Sequence, residues 1–413
     1  MAAVGFCGDW FVSTCDKTLV AVHTKQSREP FVFDCSAAEK KPKNTTDDNN
    51  SDEGVSEETG SDKVLAFTVS PSGKLVALTD DTKRLVLFHC EPSWQCISIR
   101  WVVRRCTALV FSHAEDELLV ADKSGDVYSF SVVAPQREGE LKMGHLSMLL
   151  AMTMSPNDKY IMTADRDEKI RVSHLRCPYN IQSFCLGHQQ FVSALLVPST
   201  HSHCLLSGSG DGTVKLWEYE SGRRLQSWDL TELEETPSSE AEREQKKPTV
   251  CRISSSPDGC HIAVLCERVS TVQFFTLELV GTERLTPHSR LCLPHCPLDM
   301  TFDPEGRLWV LMDSHDAPLQ IYSHRRGYWE CDAETPELIT VKEAFRPHWE
   351  TLEASTRTNS RFEHLHKMSF DNVSSYLQKK QQRLEEQQLK RTMTQEKNDK
   401  KKKTKKETTP SST

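Results

Sequence analysis

Two stretches, TADRDEKIRVS (163–173) and SGSGDGTVKLW (207–217), decide the fold of this 413-residue chain. Each contains a short polar turn and continues into a strand in which apolar and polar residues alternate. A Gly-His pair precedes each stretch, at Gly144-His145 and at Gly187-His188. Units of about 43 residues with this character recur seven times, from near the N-terminus to about residue 323. The chain is therefore a repeat protein, and its length does not indicate two or three ordinary domains.

The spacing of one small turn within each unit gives the number of repeats. The residues that mark it are Pro71, His113, Pro156, Pro198, Pro257 and Pro304. They are separated by 42, 43, 42, 59 and 47 residues, and a less regular unit over about 5–35 precedes them. A period of 40–45 residues with a Gly-His pair and a turn aspartate is typical of WD repeats. The sequence thus predicts an all-β fold, a seven-bladed WD-repeat β-propeller over residues 1–330.

Two further features of the ring follow from this assignment. In WD repeats a buried histidine binds a turn aspartate, and the spacing predicts the pairs His145–Asp167 and His188–Asp211. Many propellers also pair their N-terminal strand with the last blade, which removes a free sheet edge. We expect the same closure here.

The segments that do not fit the repeat are polar or irregular. Residues 44–62 contain seven acidic residues and no basic one, and they are predicted, with 229–248, to be disordered inserts. Residues 331–370 are interpreted as an irregular linker. Helical spacing of apolar residues predicts a helix over 371–391, and 392–413 form a basic disordered tail.

Charge and cysteine content limit the partners and the compartment. The formal net charge is −8, yet residues 379–406 hold twelve Lys/Arg against four Asp/Glu. A basic tail on an acidic body suggests contact with nucleic acid or with an import receptor, and the latter predicts a nuclear protein. The 15 cysteines lie mostly singly in apolar runs, as expected of reduced packing residues in an intracellular protein. The sequence contains no apolar run of about 18 residues, which is the length expected of a membrane-spanning helix.

Candidate catalytic and metal sites in the sequence are weak. The loop at 208–212 resembles a phosphate-binding loop, but it precedes a strand where a dinucleotide loop precedes a helix. A metal site could include Cys292, His295 and Cys296, but the sequence has no second Cys/His pair with comparable spacing to complete it. The pair His203-Cys204 is interpreted as a loop and the start of a strand. We expect no cofactor, no metal and no catalytic activity. A propeller hydrolase with its site in the central channel remains an alternative.

One turn is unusually rich in charge. The segment 165–171 carries six charged residues in seven positions, and a blade turn needs only one aspartate for internal pairing. The turn is either a solvated one whose charges compensate each other or a docking edge that orients a partner. Lys123, on the corresponding turn of the preceding blade, would lie beside it. Arg104 and Arg105 similarly either bind a phosphate or cover the end of a blade.

Several longer strings go beyond a generic propeller. RRCTAL (104–109), ADKSGDVYSFS (121–131), GHLSMLL (144–150) and TADRDEKIRVS (163–173) occur in order, followed by SFCLGH (183–188) and SFDNVSSYL (369–377). Together they resemble the WD-repeat, non-catalytic subunit of the tRNA (guanine-N7)-methyltransferase of vertebrates. The similarity is dense over about 65–220 and does not extend to the acidic inserts or the tail beyond 390.

The resemblance implies a heterodimer with a catalytic methyltransferase that binds S-adenosylmethionine and methylates a variable-loop guanosine of tRNA. The chain itself would be non-catalytic and would position partner and tRNA. The residues implied to dock the partner are Asp167, Glu168, Lys169 and Arg171, with Lys123 beside them. Candidates for RNA contact are Arg104, Arg105, Lys379, Lys380 and Arg383. The alternative is a nuclear WD-repeat scaffold or substrate receptor of another complex.

Overall fold

A computed structural model describes residues 2–41, 60–233, 247–280, 282–314, 316–348 and 360–366, together with residues 377, 379–381 and 383. These residues belong to two compact units, Met1–His366 and Lys367–Thr413. Most of the two predicted inserts, most of the predicted helix at 371–391 and the whole predicted tail at 392–413 lie outside the described residues.

The first unit consists of seven antiparallel sheets, each built from four consecutive strands, which we number blades 1 to 7. Blades 1 to 4 contain β1 Ala3–Cys7, β2 Trp10–Cys15, β3 Thr18–His23, β4 Phe31–Asp34, β5 Val64–Val69, β6 Leu75–Asp80, β7 Arg84–His89, β8 Gln95–Trp101, β9 Cys106–Phe111, β10 Glu117–Asp122, β11 Asp126–Ser131, β12 Glu140–Gly144, β13 Leu149–Met154, β14 Tyr160–Asp165, β15 Ile170–His174 and β16 Cys177–Cys185.

Blades 5 to 7 complete the ring. They contain β17 Val192–Leu196, β18 Cys204–Ser209, β19 Thr213–Glu218, β20 Arg223–Asp229, β21 Val250–Ser255, β22 Ile262–Cys266, β23 Thr271–Val280, β24 Thr282–Cys292, β25 Pro297–Phe302, β26 Leu308–Met312, β27 Leu319–Arg325 and β28 Tyr328–Cys331. Each blade's first strand contacts that of the next, and β25 contacts β1. The predicted seven-bladed propeller is confirmed.

The hydrophobic core is divided among the seams between neighbouring blades. In one seam Met162 and Val172 of blade 4 pack with Leu205 and Trp217 of blade 5. The second strands are buried on both faces because each blade lies between two others; β14 and β18, for example, are buried throughout. This explains why the middle strands are almost continuously apolar, whereas the outer strands alternate.

The ring closes without strand exchange, and the expected pairing of the N-terminal strand with the last blade is wrong. β1 pairs with β2, and blade 7 supplies all four of its own strands. Packing closes the ring instead: Phe11 stacks on Trp309 with their ring centroids 5.0 Å apart. The Val4 N–H also donates a hydrogen bond of 2.8 Å to Asp299 Oδ2. Because neither terminal blade lacks a strand, no exchange is needed.

The interpretation of 331–370 as an irregular linker is also wrong for part of its length. An α-helix, α1 Pro336–Phe345, begins with proline in its first turn and buries Leu338, Val341 and Phe345. These side chains join the core of the closure seam, where Phe345 lies 5.8 Å from Phe11. The helix therefore covers the junction of blades 1 and 7.

The ends of both predicted disordered inserts are ordered. Asp62 forms an ion pair of 2.9 Å with the buried Arg84. The second insert begins with a 3₁₀ helix, Leu230–Leu233, and Lys247 near its other end pairs with Asp229 at 2.7 Å. Disorder is thus the wrong interpretation for these flanking residues. Within the described part of the chain, no helix combines the length and apolarity that crossing a membrane requires.

Candidate partner-docking and RNA-binding face

The alternating strand directions divide the loops between two faces of the ring. We call the upper face the one that carries the turns between second and third strands and the connections between blades; the other turns form the lower face. Six of the predicted site residues belong to loops of the upper face: Arg104, Arg105, Lys123, Asp167, Glu168 and Lys169. The fold therefore brings together positions that are up to 65 residues apart in the sequence.

The charged turn of blade 4 is held by Asp165. Its Oδ1 accepts hydrogen bonds from the backbone N–H groups of Asp167 and Lys169, at 2.9 and 3.1 Å. Its Oδ2 lies 3.2 Å from His145 Nδ1, and the other ring nitrogen of His145 lies 2.8 Å from Thr163 Oγ1. The predicted pair His145–Asp167 is therefore wrong, because Asp165 binds the histidine.

The corresponding turn of blade 5 explains this difference. There the position equivalent to Asp165 is Ser209, which has no carboxylate. Asp211 therefore binds His188, with 3.0 Å between Oδ2 and Nδ1, as the sequence predicted. His188 Nε2 lies 2.7 Å from Ser207 Oγ, which also accepts the Trp217 indole N–H at 2.8 Å. In blade 4 a carboxylate two residues earlier takes this role.

Because Asp165 binds His145, the Asp167 side chain is not needed for pairing within blade 4. Burial alone would raise the pKa of Asp165, but hydrogen bonds from His145 and the Lys169 N–H lower it below its ordinary value, so the carboxylate stays ionised. Asp167 and Lys169 are exposed. Neither forms an ion pair with any residue that the structure describes. Glu168 is half-buried, with a left-handed φ of 71°.

Arg171 differs from the rest of the predicted docking set. It lies on β15, is half-buried, and its Nη1 donates a hydrogen bond of 3.0 Å to the Gly144 carbonyl in the last strand of blade 3. Burial lowers the pKa of Arg171 below its ordinary value. A cavity of about 190 Å³ beside it includes Tyr179 and Ile181 in its lining. Arg171 therefore also bridges blades 3 and 4, and its replacement would disturb the fold.

The two arginines before blade 3 have different environments. Arg105 is half-buried, and its Nε donates a 3.2 Å hydrogen bond to the carbonyl of Asp81 on the blade 2 turn. Its own carbonyl accepts the Lys123 N–H at 3.1 Å. Arg104 and Lys123 are exposed. Arg105 thus ties two turns together, while Arg104 and Lys123 point charges to solvent.

A segment that sequence reasoning missed, residues 360–366, lies against loops of the upper face. Ser360 Oγ donates to Glu267 Oε2 at 2.5 Å, after β22 of blade 6. Phe362 stacks on Phe191, just before blade 5, at a centroid distance of 5.8 Å. Arg166, on the charged turn, donates to the His364 carbonyl at 3.4 Å. The segment thus ends beside the charged turn, and its contacts left no periodic signal in the sequence.

The remaining RNA candidates belong to the second unit. Lys379, Lys380 and Arg383 are helical and exposed. This agrees with the predicted helix at the residues that the structure describes; most of the predicted helix lies outside them. The three cations recur within one and a half turns of helix, which concentrates positive charge for binding phosphate.

One group of potential metal ligands occurs among the described residues. The ligand atoms of His203, Cys204 and Glu283 lie within 4.8 Å of one another. A hydrogen bond of 2.5 Å between His203 Nε2 and Glu283 Oε1 already satisfies two of them. Cys204 is fully buried, and burial raises its pKa to about 12, which disfavours the thiolate that metals bind. The cluster is best described as a hydrogen-bonded His–Glu pair beside a packed cysteine.

A ring of seven four-stranded blades with an ionic upper face defines the chain as a WD-repeat propeller of the scaffold class. Solved structures show the same fold: the WD40 repeats of RRP9 superimpose with a TM-score of 0.60 at 18% identity, covering 76% of this chain and 88% of that one. A chain of the mitotic checkpoint complex gives a TM-score of 0.59 at 12% identity, covering 78% and 88%.

Comparison of sequences specifies the family. The family model described as the tRNA methyltransferase TRM82 WD40 domain matches residues 12–143 and 132–330. The tRNA (guanine-N(7)-)-methyltransferase non-catalytic subunit of Danio rerio is 59% identical over 386 residues, covering 93% of this chain and 92% of the relative. The subunits of Mus musculus and Homo sapiens are 45% and 43% identical, over 92% and 91% of this chain and 91% and 89% of theirs. The chain belongs to this family of non-catalytic subunits.

Proposed function

We propose that this chain forms a heterodimer with a catalytic tRNA (guanine-N7)-methyltransferase and docks it through the blade 4 turn of the upper face. The observation that carries the proposal is the availability of Asp167 and Lys169. Both are exposed, and Asp165 performs the internal pairing that would otherwise involve Asp167. S-adenosylmethionine binds to the partner, and this chain supplies no catalytic group.

Rigidity explains how such a turn assists a separate catalyst. Two backbone hydrogen bonds to Asp165 and one from Arg166 N–H to the Met148 carbonyl, at 2.9 Å, fix the turn before a partner arrives. Binding therefore loses little conformational entropy in this loop, and alternating charges orient the partner. A partner held in one orientation presents its catalytic pocket to tRNA in one geometry.

Basic residues on the same unit and on the second unit contribute to RNA binding. Arg104 and Lys123 are exposed on the upper face, and Lys379, Lys380 and Arg383 are exposed on a helical segment. Residues 360–366 end beside the charged turn of the same unit. Cations of this kind attract phosphate without reading sequence, whereas the partner selects the variable-loop guanosine.

Replacement of Lys379, Lys380 and Arg383 by glutamine in the heterodimer tests the RNA role. We expect tRNA binding to weaken about tenfold near physiological salt, and the slope of log K against log salt to fall by about 2. Fluorescence anisotropy across a salt series measures both. The matched control replaces three exposed arginines of the lower face, Arg137, Arg176 and Arg326, by glutamine. Equal losses in both variants would contradict a specific role for the helical cations.

The lysine-rich run at 400–406 supports nuclear localisation. Truncation after residue 391 removes this run and leaves the docking turn intact. We therefore expect the nuclear fraction of the tagged protein to fall while its partner still co-purifies. An unchanged distribution between nucleus and cytoplasm would show that the tail carries no import signal.

A further inference from the structure

Two cysteine sulfurs meet at the lower face, in the seam between blades 1 and 2. Cys7 ends β1 and Cys90 follows β7, and their Sγ atoms lie 2.6 Å apart. Non-bonded atoms prefer about 3.5–4.0 Å even for carbon, and a disulfide has about 2.05 Å. Both side chains are fully buried. The two sulfurs are therefore close enough to form a disulfide with little further movement.

Two glycine turns bring the sulfurs into this position. Gly8 and Gly73 both have left-handed φ angles, of 58° and 67°. A Cβ atom on Gly73 would lie 2.7 Å from the Gly8 nitrogen, so a larger residue would push the turns apart. The Cys90 N–H also donates to the Lys74 carbonyl at 2.9 Å, which fixes its backbone.

The environment makes the two thiols chemically unequal. The contact between the two sulfurs lowers the pKa of Cys90, whereas the same contact, together with burial, raises the pKa of Cys7. Whichever of the two sulfurs becomes the thiolate has the other in contact with it, so a resolving partner is already in place.

A cavity lies beside the pair, and neither cysteine is part of its lining. Its volume is about 540 Å³, and it is lined by residues that flank both cysteines. Asp9 and Trp10 follow Cys7, and His89 and Glu91 lie on either side of Cys90. The cavity is large enough to admit a molecule the size of hydrogen peroxide.

We propose that Cys7 and Cys90 are an oxidation site at which a peroxide forms a disulfide between blades 1 and 2. The thiolate of one cysteine attacks one peroxide oxygen and the O–O bond breaks, giving a sulfenic acid and, after proton transfer, one water. The sulfur of the other cysteine then attacks the sulfenic sulfur, the S–O bond breaks, and the second water leaves as the S–S bond forms. Two thiols lose two electrons, which reduce one peroxide to two waters.

The other buried cysteines supply a contrast within the same chain. Burial raises the pKa of Cys106, Cys185 and Cys204 to about 12 each. Thiols with such a high pKa are almost entirely protonated near neutral pH, and they react slowly with peroxide because the thiolate is the nucleophile. The exposed cysteines, which include Cys96 and Cys177, can react but have no place in this pair.

The test treats the purified full-length chain with a slight molar excess of hydrogen peroxide and analyses it by intact and peptide mass spectrometry. We expect a mass loss of about 2 Da and a cross-linked peptide that contains Cys7 and Cys90, both reversed by a dithiol reductant. The oxidised chain should melt about 5 °C higher, because the bond closes a loop between distant residues. Since the pair lies on the lower face, binding of the methyltransferase partner should not change.

Cys90→Ala and Cys7→Ala should each abolish the cross-linked peptide, while the matched control Cys185→Ala should retain it. Two results would overturn the proposal. One is oxidation confined to exposed cysteines while Cys7 and Cys90 remain alkylatable after unfolding. The other is a peroxide-induced mass loss and melting shift that persist in Cys90→Ala. Neither result would bear on partner docking, which a separate co-purification assay measures.

Discussion

Exchanging the charges of the blade 4 turn, with Asp167→Lys and Lys169→Glu combined, is expected to weaken binding of the catalytic partner about 100-fold. A 100-fold loss of affinity corresponds to about 3 kcal/mol. This is in the range expected when one charge of an interfacial ion pair is reversed and then repels the charge on the partner. The exchange preserves net charge, so it tests the positions of the charges and not their sum. Both side chains are exposed and Asp165 holds the turn through backbone groups, so the propeller should remain folded.

The matched control exchanges an adjacent pair on the lower face, Arg137→Glu with Glu138→Lys, where both residues are also exposed. Isothermal titration with the purified partner measures each affinity, and circular dichroism checks the fold. Arg171 is left unchanged because its hydrogen bond to Gly144 contributes to the seam between blades 3 and 4. If the blade 4 exchange, like the control exchange, left the affinity within about twofold of its original value, the turn would not be the docking edge. A twofold change corresponds to less than about 0.5 kcal/mol of binding free energy.

Replacement of Trp309 by alanine is expected to reduce the free energy of unfolding by about 4 kcal/mol. Trp309 is fully buried, stacks on Phe11 at 5.0 Å and donates its indole N–H to Asp303 at 2.9 Å. Among the described strands none is exchanged between blades 1 and 7, so this packing holds the ring closed together with the Val4–Asp299 hydrogen bond and α1. Alanine would leave a cavity in the seam that both blades and α1 share.

Urea denaturation followed by circular dichroism measures the loss. Trp309→Phe is the control, because it keeps an aromatic ring against Phe11 and removes only the hydrogen bond and part of the volume. We expect that control to lose about 2 kcal/mol, roughly half as much. A loss below about 1 kcal/mol for the alanine variant would mean that other contacts close the ring.

The repeat count, the strand pattern and the location of the charged turn could be predicted from sequence because each depends on local periodicity. Alternation in 214–217 and the Gly-His pairs reflect constraints that act within one unit. The upper-face grouping of Lys123 with Asp167 then followed from the up-and-down order of strands.

The histidine pairing of blade 4 could not be predicted by the same route. The repeat period placed Asp167 where Asp211 lies in blade 5, and that alignment is correct. Which carboxylate reaches His145 depends on side-chain geometry two residues earlier, where Asp165 replaces a serine. Alignment shows that the positions are equivalent, but it does not show which of two competing acceptors is nearer.

Ring closure and the residues after the last blade were missed because they depend on contacts between distant parts of the chain. α1 is short, and its apolar residues Leu338 and Val341 gain stability from blades 1 and 7 more than from helical propensity. The stacking of Phe362 on Phe191 joins residues 171 positions apart. Such contacts leave no periodic signal in a single sequence.

The most direct test of the central claim is a methyl-transfer assay with S-adenosylmethionine and unmodified tRNA, using this chain alone, the catalytic subunit alone and both together. We expect no N7-methylguanosine from this chain alone, and strong stimulation of the catalytic subunit that the Asp167 and Lys169 exchange abolishes. Methylation by this chain alone, or a catalytic subunit equally active without it, would contradict the account.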